Sequence, residues 1–249
     1  MKSLVILTST IKPKLQTNLV RNNSQTRLDD YLNSIHFYSN LNCNDVDFIF
    51  VENSSSIRDI ERIFQNTKNM KFVQAPEDNY SPTGGKSSGE FEMLRYLKNN
   101  GYFEKYDFIW KITGRLKVRN IETLIAAQKR DIFVYRFTEG HSCDSRLFGM
   151  RRDLFVKFVE GKVKFQENEF VLQNTLQNIF KSIENYLTIF IARENEVGRS
   201  VQINWIAPSY SGYGASIGKK LNSTKAIVHN YASRLFRKFA IKVLGSFLP

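Results

Sequence analysis

The thirteen residues Tyr106 to Val118, YDFIWKITGRLKV, run an apolar stretch, Phe108 to Trp110, straight into Lys111-Ile112-Thr113-Gly114-Arg115. This reads as a buried strand whose C-terminal end holds two cations flanking a glycine. In open α/β sheets, ligands sit in the crevice outside the carboxyl ends of the strands. A glycine there lets the backbone approach a ligand closely, and Lys111 and Arg115 supply positive charge, a combination suited to a phosphate or diphosphate. The plainer account of the same residues is a strand ending in a turn whose basic side chains face water. Side chains alternate along a strand, so Lys111 and Thr113 share a face. Arg115 joins them if the chain stays extended, and a turn at Gly114 would redirect it.

On the N-terminal side, Leu4 to Leu7 is a short buried strand that ends in the hydroxyl-rich Thr8-Ser9-Thr10. A helix follows, with Thr26 as its expected cap and Leu28, Tyr31, Leu32, Ile35, Tyr38 and Leu41 at helical spacing. Phe48 to Val51 reads as a second strand with Glu52 and Asn53 at its C-terminal end, Ile57 to Phe64 as a helix, and Met70 to Gln74 as a third strand. APEDNYSPTGGKSSGE, residues 75–90, is a loop rich in Gly, Pro and Ser, and Phe91 to Leu97 continues as a helix. Beyond the quoted stretch, Asp131 to Phe137 and Ser200 to Ile206 read as strands, and Arg152 to Val159 and Phe170 to Ile183 as helices. Strands alternating with helices predict an α/β fold with a mixed, mostly parallel sheet covered on both faces.

At 249 residues and 42% hydrophobic content, the chain can fill one large core. Two cysteines a hundred residues apart, Cys43 and Cys143, give neither a disulfide framework nor a zinc spacing, so the expectation is a reducing, intracellular setting. The only apolar run near the N-terminus, Leu4 to Leu7, is too short for a signal peptide or a membrane span. After Val197 the chain has eight basic residues and no acidic one, which carry +8 of its formal net charge of +12. Within residues 223–249, Val228, Tyr231, Leu235, Phe239 and Val243 form an apolar stripe, with Arg234, Arg237, Lys238 and Lys242 largely off it. That pattern suits a helix lying in the plane of an anionic membrane surface, or equally one packed on the domain or a second subunit. The expected division is therefore a main α/β domain over residues 1–222 and a basic amphipathic C-terminal helix over 223–249.

Taken in order, ILTST, RLDDYLNSIHFY, FVENSS, GGKSSGEFEMLRYL, FIWKITGRLKV, CDSRLFGM and SGYGASIGK resemble the small bacterial GT-A-type glycosyltransferases of capsule, O-antigen and lipooligosaccharide (lipopolysaccharide) biosynthesis, over roughly residues 3 to 220. The resemblance implies a GT-A-like fold and transfer of a sugar from a nucleotide-sugar, UDP being the usual nucleotide, to a hydroxyl of a lipid-linked or surface-glycan acceptor. Where such enzymes usually carry an Asp-x-Asp motif that holds Mn²⁺ or Mg²⁺, this chain has Thr113-Gly114-Arg115. The expectation is therefore no required metal, with Lys111 and Arg115 stabilising the leaving diphosphate.

The resemblance also implies nucleoside binding by Thr8, Ser9, Thr10, Glu52 and Asn53, with Lys86 near the donor. It implies sugar or acceptor contacts by Asp144 and Arg146, which could instead form a structural ion pair. Glu169, favoured over Asp144, is the expected base, although an acidic residue opening a helix serves the helix dipole equally well. Gly212, Gly214 and Gly218 are either a loop closing over the diphosphate or a linker. The expected location is cytoplasmic, peripheral at the inner face of the membrane. A basic nucleic-acid-binding protein is the alternative in a different class; its signature motifs are absent, and no nucleic-acid partner is expected. A nucleotidyltransferase on a similar sheet is a third reading, weakened by the lack of an acidic metal cluster.

Overall fold

The computed structural model describes residues 1–13, 23–54, 57–67, 69–77, 87–136, 143–168, 183–203, 208–213 and 220–221. Four strands of the sheet fall on the strand segments read above: β1 (Ser3–Ser9), β2 (Val46–Glu52), β3 (Met70–Gln74) and β4 (Phe108–Thr113). β1 pairs in parallel with β2 on one side and with β4 on the other, and β2 pairs in parallel with β3. Beyond β4 lie β7 (Cys143–Arg151), β6 (Ile132–Arg136) and β8 (Val201–Ile203), giving the order β3-β2-β1-β4-β7-β6-β8. β7 is antiparallel to both of its neighbours, and β6 and β8 are parallel to one another. The sheet is mixed and mostly parallel, with helices on both faces, an α/β architecture.

Alternation along the strands divides the core into two layers. One contains Val5, Leu7, Phe48 and Phe50, packed against α1 (Ser24–Ser39), α2 (Arg58–Ile63) and α4 (Ile121–Ala126). The other contains Leu4, Ile6, Ile49 and Val51, packed against α3 (Ser87–Asn99), α5 (Arg152–Asn168) and α6 (Ile183–Glu196). The chain builds β1, β2 and β3 outward with α1 and α2 on one face. It then returns through α3 on the other face to lay β4 beside β1. The strand order thus reverses between β1 and β4, and ligand crevices of open α/β sheets open at such a reversal.

Trp110 of β4 is fully buried, with ring centroids of Phe108 and Phe133 each 5.1 Å away. Its cross-strand partner is Gly149, where an added Cβ would come within 2.6 Å of the Phe108 ring and 2.8 Å of the Trp110 ring. Gly149 is the space these aromatics fill.

Several elements differ from the sequence reading. The cap of α1 is Asn23, whose side chain accepts from Thr26 N, so Thr26 lies in the first turn rather than at the cap. CDSRLFGM, to which the sequence reading gave no secondary structure, makes up all but the last residue of the antiparallel strand β7. α5 runs on to Asn168, which puts Glu167 in its last turn rather than ahead of a helix. Gly212 belongs to strand β9 (Tyr210–Tyr213), which pairs with β10 (Lys220–Leu221) and with β5 (Lys117–Val118) in a small antiparallel sheet. Gly214 and Gly218, the predicted helix from Phe170 to Ile183 except for Ile183 itself, which opens α6, and the C-terminal segment 223–249 lie outside the described residues.

One tyrosine ties α1 to the strand end. The Tyr38 hydroxyl, fully buried, donates to Leu116 O at 2.8 Å and accepts from Val118 N at 2.9 Å. Burial, only partly opposed by the Val118 bond, raises its pKa well above the ordinary tyrosine value, so the group stays protonated. Tyr38→Phe removes both bonds, and leaving buried backbone groups with a lost partner costs about 1–3 kcal/mol. The expected result in urea titration is a lower midpoint with an unchanged slope.

Candidate functional site at the strand ends

Between β1 and β4 the backbone closes tightly. Gly114 N donates to Thr8 O at 2.9 Å, and a Cβ on Gly114 would stand 2.7 Å from that carbonyl oxygen. Leu116 N then bonds back to Thr113 O at 2.9 Å, which closes a turn over Gly114 and Arg115. The glycine is therefore required by the neighbouring strand, where the sequence had suggested close approach of a ligand. The turn also separates the two cations. Lys111 points to the α3 side, 5.8 Å from the Phe148 ring centroid, and Arg115 to the α1 side, 5.9 Å from that of Tyr31.

Counting donors and acceptors shows what each charged group can still bind. The Lys111 ammonium is fully buried and has three protons. Its three acceptors are Glu90 Oε1 at 2.5 Å, Ser145 O at 2.7 Å and Thr113 Oγ1 at 3.5 Å. Lys111, expected to contact the diphosphate, has its charge enclosed and paired within the protein in this arrangement. Glu90 also accepts from the Thr8 hydroxyl at 2.6 Å, so Thr8 belongs to the same internal group on the α3 side.

Asp144 is also fully buried. One oxygen accepts from Arg146 N at 2.9 Å and Arg146 Nε at 2.8 Å, the other from Arg146 Nη2 at 2.8 Å and the Tyr210 hydroxyl at 3.0 Å. Four bonds fill the acceptor capacity of a carboxylate. Asp144 and Arg146 thus form the structural ion pair of the two roles left open, and the base and sugar-binding roles expected of Asp144 have no free lone pair here. Burial alone would lower the Arg146 pKa, but its hydrogen bonds to Asp144 and that residue's charge hold it above the ordinary value. Tyr210 is pushed well up, first by burial and then by the Asp144 charge.

Glu52, fully buried at the end of β2, is a loop clasp. It accepts from the Ser9 hydroxyl at 2.6 Å, Ile11 N at 3.2 Å and Ser54 N at 2.7 Å, and also from the Ser54 hydroxyl. The Thr10 hydroxyl donates to Asn53 Oδ1 at 2.8 Å. Thr8, Ser9, Thr10, Glu52 and Asn53 therefore do gather at the ends of β1 and β2, where they bond largely to one another. Lys86 and Glu169 lie outside the described residues.

Arg115 is the exception. It is 5% exposed, and among the described residues neither Nε nor Nη1 finds an acceptor. An unpaired buried guanidinium is costly, and a group left in that state marks a place where something else completes it. Beside it stands Arg27, which the sequence reading gave no role. This buried arginine on the packed face of α1 has Nε 2.9 Å from Thr10 O. Its signal was there to be read, because Arg27, Tyr31, Ser34 and Tyr38 fall on one helical stripe.

The GT-A resemblance implies a divalent cation at this turn, but the residues present do not fit one. Thr113, Gly114 and Arg115 bring a cation in place of carboxylates, and no group of three His, Cys, Asp or Glu among the described residues could hold a metal.

No protein-family model matches the chain, and no match is found among curated proteins. Among solved structures, it is similar to a putative nucleotide-diphospho-sugar transferase from Desulfovibrio desulfuricans G20, at TM-score 0.47 and 13% identity over 82% of this chain and 80% of that one. It is also similar to the glycosyltransferase GlyE of Streptococcus pneumoniae TIGR4 (TM-score 0.48, 6% identity, 82% of this chain and 45% of that one). A third similarity is to a CMP:2-keto-3-deoxy-manno-octonic acid synthetase in complex with CTP (TM-score 0.43, 10% identity, 94% and 99%). The chain thus spans less than half of the GlyE structure it matches.

The Lys111–Glu90 pair has unequal partners, since the lysine side chain is fully buried and the glutamate side chain 18% exposed. Glu90→Gln strands the buried cation and should cost about 3–5 kcal/mol, whereas Lys111→Met leaves a carboxylate that water can reach and should cost less. Equilibrium unfolding of both variants checks the order; equal losses would contradict it.

Proposed function

We propose that the protein is a glycosyltransferase that moves a sugar from a nucleotide-sugar, UDP-linked in the favoured case, to a hydroxyl of a lipid-linked or surface-glycan acceptor of capsule or lipopolysaccharide type. The observation that carries this reading is Arg115, buried at the reversal point between β1 and β4, with no acceptor for Nε or Nη1 among the described residues. The departing nucleoside diphosphate gains negative charge as the glycosidic bond breaks, and preorganised donors stabilise that charge most where water is excluded. Arg115 offers a planar fork suited to two phosphate oxygens. The loops after β1 and β2, held by Glu52, Asn53 and Thr10, form the wall against which the nucleoside rests. With Asp144 saturated, Glu169 is the carboxylate left among those singled out to take the acceptor proton. In the same proposal, the basic segment 223–249 holds the enzyme at the inner face of the cytoplasmic membrane, where such acceptors are found.

Isothermal titration with UDP, GDP, CMP and their sugar conjugates, each in EDTA and again with Mn²⁺, tests the donor assignment. The expected result is selective binding of one nucleotide family in EDTA. Binding only with Mn²⁺ would keep the enzyme class and remove the arginine mechanism. No binding to any nucleotide would overturn the proposal.

Deleting residues 223–249 should abolish sedimentation with phosphatidylglycerol liposomes and leave nucleotide affinity unchanged. A truncated protein that binds the liposomes as the full chain does would remove the membrane role.

A further inference from the structure

The strand order β2-β1-β4-β7 lays out the crevice from one end to the other. The loops after β1 and β2 come first and the turn at Arg115 next, so a sugar beyond a diphosphate at that turn extends toward β7. Glu90 and Glu184 lie on that side, in the first turns of α3 and α6. Glu90 Oε1 accepts from both the Lys111 ammonium at 2.5 Å and the Thr8 hydroxyl at 2.6 Å. Glu184 Oε1 accepts from the Ser145 hydroxyl, and Ser145 O accepts from Lys111 Nζ at 2.7 Å, so one lysine and one serine join the two acids. The turn that carries Glu184 is pinned to the head of β7, because Thr188 Oγ1 donates to Glu184 O at 2.7 Å and accepts from Cys143 N at 2.9 Å. In both acids the other oxygen, Oε2, receives no hydrogen bond from a described residue, and both residues are only partly buried.

The charges on this side do not balance. Among the described residues joined here, the three carboxylates Glu90, Asp144 and Glu184 face two cations, Lys111 and Arg146. Both cations are engaged: Lys111 has its three acceptors, and Arg146 holds Asp144 and lies 4.6 Å from the Tyr210 ring centroid. The N-terminal ends of α3 and α6 carry partial positive charge, which Glu90 and Glu184 already offset. An incoming anion therefore meets no uncompensated positive group among the described residues on this side, whereas a hydroxyl meets two open acceptor oxygens.

We propose that this side of the crevice selects an uncharged sugar: Glu90 Oε2 and Glu184 Oε2 accept sugar hydroxyls, and their charges repel a sugar that carries a carboxylate. The inference rests on the strand ends being the place of sugar transfer, and it adds the class of sugar and two residues that select it. Selection of this kind works through the penalty on the wrong ligand as much as through contacts to the right one. Like charges brought together away from bulk water make that penalty large.

The test is calorimetric titration of the full chain in EDTA with pairs that differ only at the sugar C6 group: UDP-glucose with UDP-glucuronate, UDP-galactose with UDP-galacturonate, and GDP-mannose with GDP-mannuronate. In the wild type, the uncharged member of the pair that binds should be favoured about tenfold or more, and by less at high salt. CMP-N-acetylneuraminate, whose sugar carries a carboxylate, should not bind. Glu184→Gln keeps an acceptor for Ser145 and removes the charge. It should cut the preference about threefold or more and leave the affinity for the free nucleotide as it is, with thermal unfolding as the check on its fold.

A uronate or the neuraminate bound by the wild type as tightly as the uncharged conjugates overturns the inference and leaves the glycosyltransferase reading standing. So does a preference that Glu184→Gln does not change. A loss of free-nucleotide affinity in Glu184→Gln equal to the loss for the conjugates would make that residue structural, with the same consequence. No binding of any nucleotide or conjugate overturns both.

Discussion

The contact on which the rest of this molecule depends is the close approach of β4 to β1 at the Thr8 carbonyl. Gly114 N reaches that oxygen at 2.9 Å, and the space left would not admit a Cβ. The ladder between the two strands ends there and the chain turns at once, so residues two apart in the extended strand no longer share a face. Lys111 goes to the α3 layer and Arg115 to the α1 layer. A glycine that seemed to be making room for a ligand instead makes room for a strand. Its effect on the ligand is indirect, through where it sends the next residue.

That division gives the two cations different physical roles. Lys111 has a carboxylate and two oxygen acceptors, so its burial is compensated in full, and pairs of this kind contribute more to a defined arrangement than to net stability. Arg115 carries the same charge in a place almost as dry, and two of its donors lack acceptors. Asp144 and Glu52 each have four hydrogen bonds, and the whole set of polar residues at the strand ends is nearly closed upon itself. The opening in that set is what distinguishes Arg115 from its neighbours.

The first four strands were legible in the sequence because parallel strands covered on both faces read as continuous apolar runs, as VIL and FIFV do. β7 was not legible, because its first residues are Asp144, Ser145 and Arg146, which look like a loop. They are strand because Asp144 finds Arg146 and Tyr210, and Ser145 finds Glu184. Polar partners from distant elements made a buried strand out of polar sequence, and no local pattern announces them. α6 was not read from the sequence, which put a helix over Phe170 to Ile183 instead, although Ile183, Tyr186, Leu187, Phe190 and Ile191 recur at helical spacing. Of the site, the residue types at the ends of β1, β2 and β4 were visible from sequence. Which of them were already satisfied by one another was not, since hydrogen-bond saturation depends on the approach of elements far apart in the chain.

Keeping a guanidinium buried with two donors that meet no acceptor among the described residues needs a backbone that cannot relax to bring one. Residues 113–118 are held in such a way. Thr8 O fixes Gly114, Thr113 O fixes Leu116, and the Tyr38 hydroxyl bridges Leu116 O and Val118 N from the packed face of α1. Lys117 and Val118 then pair with β9 as β5, and β9 begins at Tyr210, whose hydroxyl donates to Asp144. At about 1 kcal/mol for each net hydrogen bond, these ties together are comparable with the cost of one imperfectly compensated buried charge. The same ties join the α1 side of the crevice to the Asp144–Arg146 pair, since β5 is shared by both.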